Sequence, residues 1–391
     1  MPVNPTSIEE FREDVQKCMR CGFCVALCPV QEYMGFESNS PRGRMQNIKA
    51  LIDKEIQVND YLMNRIYDCT LCGYCLWRCP PGVRTVDAIM AARAHFVENR
   101  CHPGIHLDFA EGIKKYNNPY AEEPQKRFAW VPQSLDLPKS ADVLYFVGCT
   151  SAFRLPEVAV SSIVLLSAAG IDFTIISDEA CCGSVLLRTG MRELGKQMVE
   201  KNIQMIEEVG ASTIVFSCPG CYKTLADDYP KLMKTSLGYE LKHVSEYLLE
   251  IDELKLARPV NATVTYHDPC HLGRHLGIFE PPRELVSQIP GVKLVEMERN
   301  RNTATCCGAG AGVRGAFPEI SLKIAKKRVR EALAAGARTI SSACPFCKRN
   351  LGDAVAEMGE AVQMYDIVQL AAKSVEVGGK QGKRLRGRWL C

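Results

Sequence analysis

The sequence predicts a mainly helical N-terminal domain followed by two pseudo-symmetric α/β domains with parallel sheets, a fold class between α+β and α/β. Three observations lead to this prediction. Eight cysteines repeat one spacing twice between residues 18 and 79, and ten more form two matched sets of five. Between residues 141 and 375, short apolar runs alternate with stretches of helical periodicity. Such alternation indicates parallel strands joined by helices that cover both faces of a sheet.

The composition is that of an ordinary globular protein of 391 residues, long enough for two or three domains. The net charge of +3 gives no argument for nucleic acid as a partner. No run of about 18 apolar residues predicts a transmembrane span, and the N-terminus lacks a secretory signal. We expect a cytoplasmic protein, either free or peripheral at the cytoplasmic face of the membrane through a partner. In that compartment, 20 cysteines favour metal or redox chemistry over disulfides.

The N-terminal domain, residues 1–100, carries two identical cysteine runs. Ser7 and Glu10 form a capping box that predicts a helix leading to the first run. Each run has the spacing Cys-x2-Cys-x2-Cys-x3-Cys-Pro, which is typical of bacterial ferredoxins with two cubane [4Fe-4S] clusters. In these proteins the fourth cysteine of each run binds the other cluster. The predicted ligand sets are therefore Cys18, Cys21, Cys24 and Cys79 for one cubane, and Cys69, Cys72, Cys75 and Cys28 for the other.

Two further helices are predicted in this domain, one containing Met45 and Ile52 and the other spanning 86–97. Arg42 and Arg44, at the start of the first helix, either lie near the anionic clusters and tune them or are solvated. Residues 101–140 are rich in proline, asparagine and charge, and we interpret them as a linker.

An internal duplication fills the next 235 residues, 141–375. Residues 209–221 match residues 335–347 at a displacement of 126, and we place the two copies at 141–255 and 256–375. In the first copy we predict strands at 143–147, 173–176 and 213–216, with helices at 158–169 and 191–209.

Each copy holds five cysteines that follow predicted strands or flank a glycine. Ligands of parallel sheets bind beyond the carboxyl ends of the strands, so each copy should collect its thiols at one edge. A structural zinc takes four ligands and does not use a fifth. Gly183 and Gly308 follow the vicinal pairs and provide the conformational freedom that two adjacent ligands require. The two sets are Cys149, Cys181, Cys182, Cys218 and Cys221, and Cys270, Cys306, Cys307, Cys344 and Cys347.

This arrangement resembles the cysteine-rich CCG domain of heterodisulfide reductases, in particular the D-type chain of these enzymes, which joins a ferredoxin-like part to a duplicated CCG part. The resemblance extends from about Cys18 to about Leu370. It implies that each set of five binds one noncubane [4Fe-4S] cluster. It also implies that a substrate disulfide is held between these clusters and that electrons arrive singly through the cubanes. The implied setting is anaerobic metabolism, and the implied activity is that of an oxidoreductase acting on a sulfur group.

Substrates of this family are anionic, so the resemblance implies a cationic pocket near the thiols. The candidate catalytic residues are His267 and His271, as proton donors, together with Arg188 and Arg314. Further basic residues lie beside the ligands in sequence, namely Lys223, Arg274, Lys348 and Arg349. For each of these, a second interpretation is a surface charge or a hydrogen-bonded neighbour of the ligands.

No flavin or nicotinamide signature is found, so the electrons must come from a partner such as a flavoprotein, a cytochrome b or a ferredoxin. The alternative function is an electron-transfer subunit without a substrate of its own. Such a subunit would link a flavin, acyl-CoA or hydroxyacid dehydrogenase to a quinone pool or ferredoxin. A third interpretation is a structural zinc module. The basic stretch 376–391 is interpreted as a flexible tail, which either contacts a partner or an anionic membrane or is merely solvated.

Overall fold

The computed structural model describes residues 7–131, 135 and 137–376. The predicted basic tail lies outside the described residues except for residue 376. The N-terminal domain is helical, as predicted, and the Ser7–Glu10 capping box is present. Its core is formed mainly by the predicted helix with Met45 and by a second helix with Ile89. The helices up to residue 116 are α1 Arg12–Lys17, α2 Pro29–Met34, α3 Pro41–Ile52, α4 Asp60–Tyr67, α5 Tyr74–Trp77, α6 Thr85–Glu98 and α7 Gly104–Tyr116.

Helix α7 lies in the segment that the sequence predicts to be a linker. Its residues Ala110 and Ile113 are buried, and it packs against helices of both following domains. His106 is fully buried, and its Nε2 lies 3.2 Å from the carbonyl oxygen of Gly312. This part of the segment is therefore an ordered structural element that joins the domains, although its composition suggested a linker.

The first α/β domain contains a four-stranded sheet in the order β2-β1-β3-β4, and every pairing is parallel. The predicted strand 173–176 is shorter than expected, because β2 is an edge strand and the chain leaves the sheet after Thr174. The elements are β1 Val143–Phe146, α8 Cys149–Phe153, α9 Pro156–Ala168, β2 Phe173–Thr174, α10 Ser184–Thr189, α11 Arg192–Val209, β3 Thr213–Phe216, α12 Pro219–Lys223, a π-helical turn Thr224–Asp228, α13 Tyr229–Met233, β4 Glu240–His243 and α14 Val244–Leu249.

The second α/β domain repeats this topology with the strand order β6-β5-β7-β8, again entirely parallel. The repeat confirms the duplication predicted from the sequence. The elements are β5 Ala262–His267, a π-helical turn His271–His275, α15 Glu280–Ser287, β6 Val292–Leu294, α16 Val313–Ala316, α17 Pro318–Ala334, β7 Thr339–Ser342, α18 Pro345–Met358, β8 Gln363–Asp366 and α19 Ile367–Ser374.

The two copies share one hydrophobic core. Helix α9 of the first copy packs on α19 of the second, and α14 packs on α15. Tyr145 of the first sheet and Tyr266 of the second are both fully buried in this cluster. Burial of apolar surface on this scale holds the two sheets in a fixed relation. The carboxyl ends of β1, β3, β5 and β7 therefore have fixed positions relative to one another.

Arg93, on α6, joins all three domains. Its buried guanidinium donates to the carbonyl oxygen of Cys69 in its own domain, at 2.6 Å. It also donates to the carbonyl oxygens of Arg188 in the first copy, at 2.7 Å, and of Ala311 in the second, at 2.9 Å. Gly190, with φ of +91°, lies so close to α6 that an added Cβ would be 2.5 Å from the Arg93 carbonyl carbon. Among the described residues, no helix has the length and apolar composition needed to cross a membrane.

Candidate metal centres

Two cavities in the N-terminal domain are lined by the two predicted sets of four cysteines. Cys24 lines both cavities and is therefore the link between them. Four thiols around a cavity are the donor set that a cubane iron-sulfur cluster takes, so the residues fit two such clusters. The outer cavity is lined by Cys18, Cys21, Cys24 and Cys79, and the inner cavity by Cys28, Cys69, Cys72 and Cys75.

Arg42 and Arg44 line the outer and the inner cavity, respectively. Arg44 is fully buried, forms an ion pair with Asp68 and donates to the carbonyl oxygen of Arg65 at 2.6 Å. Arg42 is half-buried and pairs with Glu37 at 2.5 Å. Of the two interpretations, the structure therefore supports a position beside the cavities, and it excludes a solvated Arg44.

The first set of five thiols is assembled from three places on the carboxyl side of the sheet. Cys149 begins α8 directly after β1, and Cys218 and Cys221 flank the start of α12 after β3. The vicinal pair lies in the loop before α10, where Gly183 has φ of +80° as the sequence predicts. The Cys149 thiol lies close enough to that of Cys181, and the Cys182 thiol close enough to that of Cys221, for the pKa values within each pair to be shifted.

Arg127 contacts this set from the predicted linker. Its Nη2 donates to the Cys149 Sγ at 3.3 Å, and its Nη1 pairs with Glu179 at 2.8 Å. The Glu179 carboxylate also accepts hydrogen bonds from the backbone amides of Val147 and Gly148, at 2.7 and 2.9 Å. Burial raises the pKa of Glu179 to about 7, against the lowering effect of Arg127. A buried ion pair thus orients the thiol that follows β1.

The second set of five is built in the same way. Cys270 follows β5, the vicinal pair precedes α16, and Cys344 and Cys347 flank the start of α18. The Cys347 Sγ lies 3.4 Å from the Cys307 Sγ. Gly308 has φ of +89°, and an added Cβ would lie 2.4 Å from the carbonyl oxygen of Ser321. Only glycine fits at this position, as the sequence predicts.

His267 lies at the end of β5 with its ring directed to the second set. The Arg328 Nε donates to its Nδ1 at 3.0 Å. Arginine only donates, so Nδ1 must accept and the proton is on Nε2. The His267 ring lies close enough to the thiols of Cys307 and Cys347 for one ring nitrogen to be within 4.8 Å of both. Burial lowers the pKa of His267. A buried, neutral imidazole can donate an N–H···S hydrogen bond, and the role of His267 as a proton donor stays a prediction.

The two sets of five meet each other and the N-terminal domain through thiol contacts. The Cys218 thiol lies close enough to the Cys344 thiol of the other set for each to shift the pKa of the other. The Cys72 thiol, from the inner cavity, packs against the buried cluster that contains Cys306, and Cys306 raises the pKa of Cys72. Arg274 spans this second junction and donates to the carbonyl oxygens of Cys72 and Ala304, at 2.8 and 2.7 Å. The thiols of the inner cavity therefore lie beside those of the second set, and the thiols of the second set lie beside those of the first.

Cationic residues surround the contact between the two sets. Arg188 is buried and pairs with Asp228 at 2.8 Å, and its Nη1 has no hydrogen-bond partner among the described residues. Lys223 is buried near the same carboxylate. His271 also lies in this region. A Cβ added to Gly220 would be 3.5 Å from the Cys218 Sγ and 3.7 Å from the His271 Nδ1, so both side chains border the same small volume. Burial lowers the pKa of His271, and the neighbouring His275, Arg188 and Lys223 lower it further.

The remaining candidates have other partners. Arg314 contacts Asn350 and Asp353, both at 2.5 Å, and Asn350 in turn donates to the Cys307 carbonyl oxygen at 2.7 Å. Arg314 can therefore position the second set only through Asn350. Of two other basic residues, Lys348 bridges the two copies and Arg349 reaches the predicted linker. Lys348 pairs with Glu157 of the first copy at 2.8 Å, and the Arg349 guanidinium lies 5.7 Å from the centre of the Tyr120 ring.

Arg127, Arg93 and Arg328 are functional neighbours that the sequence did not indicate. Arg127 and Arg93 lie outside the duplicated region, and all three act through contacts between residues far apart in sequence. For Arg328, one signal was available. The duplication aligns His267 with Phe146, since each stands three residues before the first cysteine of its set. A buried histidine in place of a phenylalanine indicates a polar partner.

Comparison with known proteins agrees with this architecture. Residues 14–83 match the 4Fe-4S dicluster domain family, and residues 143–226 and 264–352 each match the cysteine-rich CCG domain family. The fold and the thiol sets thus define an iron-sulfur oxidoreductase with a ferredoxin-like part and two CCG domains.

The chain is 35% identical to the D subunit of dihydromethanophenazine:CoB–CoM heterodisulfide reductase from Methanosarcina acetivorans, over 93% of this chain and 94% of that one. It belongs to the family of these heterodisulfide reductase D chains. It is 29% identical to the B subunit of fumarate reductase (CoM/CoB) from Methanothermobacter marburgensis, over 94% of this chain and 74% of that one. A crystal structure of a hypothetical protein from Helicobacter pylori shares the fold, with a TM-score of 0.61 at 11% identity over 96% of this chain and 74% of that one.

Proposed function

We propose that this protein reduces an organic disulfide at the junction of its two five-thiol sets. The observation that carries the proposal is the contact between the two sets, in which α12 packs on the turn that follows Cys270 and the Cys218 thiol lies close to the Cys344 thiol. Both sets have all five thiols, and this contact brings them together. A disulfide has two sulfur atoms, and a junction of two equivalent centres offers each of them its own binding position.

We assign the ligands as the sequence suggests, with one cubane in each cavity of the N-terminal domain and one noncubane [4Fe-4S] cluster in each set of five. The lining of the cavities supports the crossed assignment, because Cys79 lines the outer cavity and Cys28 the inner. When bound, these clusters supply one-electron carriers and iron sites with affinity for thiolate sulfur. Clusters held by these residues would form a series from the outer cavity through the inner cavity to the second set, where Cys72 lies beside Cys306, and this series is the proposed electron path.

The cationic residues at the junction suit an anionic substrate. Arg188 has one buried nitrogen without a hydrogen-bond partner among the described residues, and Lys223 lies beside it. An unpaired buried donor is costly, so a ligand carboxylate, sulfonate or phosphate that accepts from it gains binding free energy. His271 lies in the same region as Cys218 and is the proposed proton donor. The overall reaction consumes two electrons and two protons and converts one disulfide into two thiols.

The first substrate to test is the CoB–CoM heterodisulfide, for which the relative from Methanosarcina acetivorans is named. That relative and the one from Methanothermobacter marburgensis are both subunits. We therefore propose an electron-donating partner, namely a flavoprotein, a cytochrome b or a ferredoxin. The expected cytoplasmic location remains a prediction. The alternative of an electron-transfer subunit without a substrate gives no reason for two complete sets of five.

The test is single-turnover reduction under anaerobic conditions. Protein reduced with dithionite and freed from it is mixed with the CoB–CoM disulfide, and the thiols formed are counted. We expect two thiols per disulfide and oxidation of the iron-sulfur centres. Arg188→Gln should raise the disulfide concentration that gives half the maximal single-turnover rate by at least tenfold, because it removes a charge-assisted contact of about 1.5–3 kcal/mol.

A control for this test is Arg258→Gln, which removes an exposed arginine of the second α/β domain. It should leave the half-saturating disulfide concentration near that of the unchanged protein. If the reduced protein exchanges electrons with dyes but consumes no organic disulfide, the electron-transfer alternative replaces the proposal.

A further inference from the structure

An exposed apolar patch surrounds the outer cavity of the N-terminal domain. Seven large apolar side chains are exposed among the described residues, and four of them lie on the loop that carries Cys18, Cys21 and Cys24 or on helix α5, which precedes Cys79. Two exposed arginines, Arg20 and Arg78, lie among them. We call these six residues the Trp77 patch. Its apolar members are Met19, 69% exposed, Phe23, 52%, Leu76, 37%, and Trp77, 44%.

The patch is an organised surface. The Arg78 guanidinium lies 5.5 Å from the centre of the Phe23 ring and 6.0 Å from that of Trp77, so it links the two cysteine loops. Trp77 also packs on the ring of Tyr74, at 5.8 Å between centres. Contacts of this kind fix the aromatic rings before any partner binds, which lowers the entropic cost of association.

The two arginines of the patch are available to a ligand. Neither Arg20 nor Arg78 forms an ion pair with any described residue, whereas Arg42, at the rim of the same cavity, pairs with Glu37. Unpaired guanidinium groups favour carboxylates, which they bind through two parallel hydrogen bonds. Cys21, the exposed cysteine of this cavity, lies between these residues in the chain. The patch therefore combines apolar, aromatic and cationic groups around the exposed thiol at the outer end of the electron path.

We infer that the Trp77 patch is the docking surface for a redox protein whose contact face is apolar and rich in carboxylates, so that electrons enter at Cys21. The inference rests on the proposed electron path and names the partner surface for it. Exposed aromatic residues with arginine are the composition of protein–protein contact centres. A membrane surface fits less well, because the patch lies on two loops and the four-residue helix α5, while membrane-surface binding typically uses a longer amphipathic helix.

The experiment measures binding and electron transfer separately. The probe is an acidic bacterial ferredoxin with two [4Fe-4S] clusters, and its affinity for the full chain is measured by anaerobic titration calorimetry. We expect binding that weakens at least tenfold between about 50 and 300 mM salt, because screening weakens ion pairs at the surface. Arg78→Glu and Trp77→Ser should each weaken it at least tenfold and slow reduction by the ferredoxin accordingly.

Two control variants alter similar groups elsewhere on the surface. Leu107→Ser removes an apolar side chain that is 47% exposed, and Arg258→Glu reverses an exposed charge in the second α/β domain. Both should bind the ferredoxin as the unchanged protein does. Equal binding by the patch variants, or no salt-sensitive binding by the unchanged protein, would overturn the inference. The inference would also be overturned if the protein floated with phosphatidylserine–phosphatidylcholine vesicles, the patch variants did not float, and all variants bound the ferredoxin equally.

Failure of the proposed function is a separate result. Dithionite reduces the centres without a protein partner, so disulfide turnover with dithionite does not involve the patch. If the unchanged protein reduces no disulfide with dithionite but binds the ferredoxin through the patch, the reductase function is contradicted and the docking surface is still supported.

Discussion

Replacing Arg127 by methionine tests how the first set of five thiols is held. The Arg127 side chain is 3% exposed and that of its partner Glu179 is fully buried. The substitution leaves the carboxylate with two backbone donors and no cation. Removing one member of a buried ion pair costs about 3–5 kcal/mol in the free energy of unfolding, because the other charge stays buried without compensation.

The loss should depend on pH. Burial already raises the pKa of Glu179 to about 7 with Arg127 present, and without the cation the pKa rises further. A carboxyl group with a raised pKa in the folded state destabilises the protein as the pH rises towards that pKa. The variant should therefore lose less stability near pH 6 than near pH 8.5. Protonation of Glu179 at the lower pH removes the uncompensated charge.

The assay is anaerobic thermal unfolding followed by circular dichroism, together with electron paramagnetic resonance of the reduced protein. A loss of this size corresponds to a melting temperature lower by on the order of 10 °C. The matched control is Arg283→Met, since Arg283 is equally buried and pairs with Asp268 at 2.7 Å. Among the described residues Arg283 donates to no thiol, whereas Arg127 donates to Cys149.

Both variants should therefore unfold at lower temperature, but only Arg127→Met should change the spectrum of an iron-sulfur centre. An unchanged melting temperature for Arg127→Met would rule out a stabilising role of the ion pair. The same spectral change in both variants would rule out the assignment of Arg127 to the first set.

Three further substitutions address other parts of the molecule. His267→Phe should lower the midpoint potential of the second centre by about 40 mV, equivalent to one hydrogen bond of about 1 kcal/mol to a thiolate sulfur. A redox titration that gives the original potential would contradict N–H···S donation. Burial raises the pKa of Asp366 to about 8, so stability should fall as the pH rises from about 4 to about 8. Asp366→Asn keeps the helix cap and should flatten the dependence of stability on pH. A melting temperature that depends equally steeply on pH in the variant would contradict the raised pKa of Asp366. Gly190→Ala should lower the free energy of unfolding by several kcal/mol, because the added Cβ would meet the Arg93 backbone. Gly170→Ala, with open space and φ of +70°, should lower it by only about 1 kcal/mol. Equal melting temperatures of the two variants would contradict the close packing of Gly190 on α6.

Much of the architecture could be predicted from local patterns. The strands at 143–146 and 213–216 are short apolar runs, and the repeat at a displacement of 126 indicated two equivalent sheets. Cysteines directly after strands had to gather at the carboxyl edge of each sheet. The spacing of the two N-terminal runs predicted the sets of four that line the two cavities.

The parts that escaped prediction depend on contacts between distant residues. Helix α7 lies in a segment whose prolines and asparagines suggested a linker, and its burial comes from packing on other domains. Arg127 follows in the same segment and reaches Cys149 and Glu179 only in the folded chain. The contact of Cys72 with Cys306 joins residues 234 positions apart, and no periodicity encodes it. Local patterns thus predicted where the thiols lie, but they did not predict which charges orient them.

The proposed function depends most on both sets of five thiols holding a four-iron centre in addition to the two cubanes. Iron determination on anaerobically purified protein tests this directly. We expect about 16 irons per chain, from four clusters of four. We also expect a loss of about four irons when Cys181 and Cys182 are both replaced by serine, since one cluster of four then lacks two ligands. A count near eight in the unchanged protein, or no loss in this variant, would contradict the assignment of clusters to the sets of five.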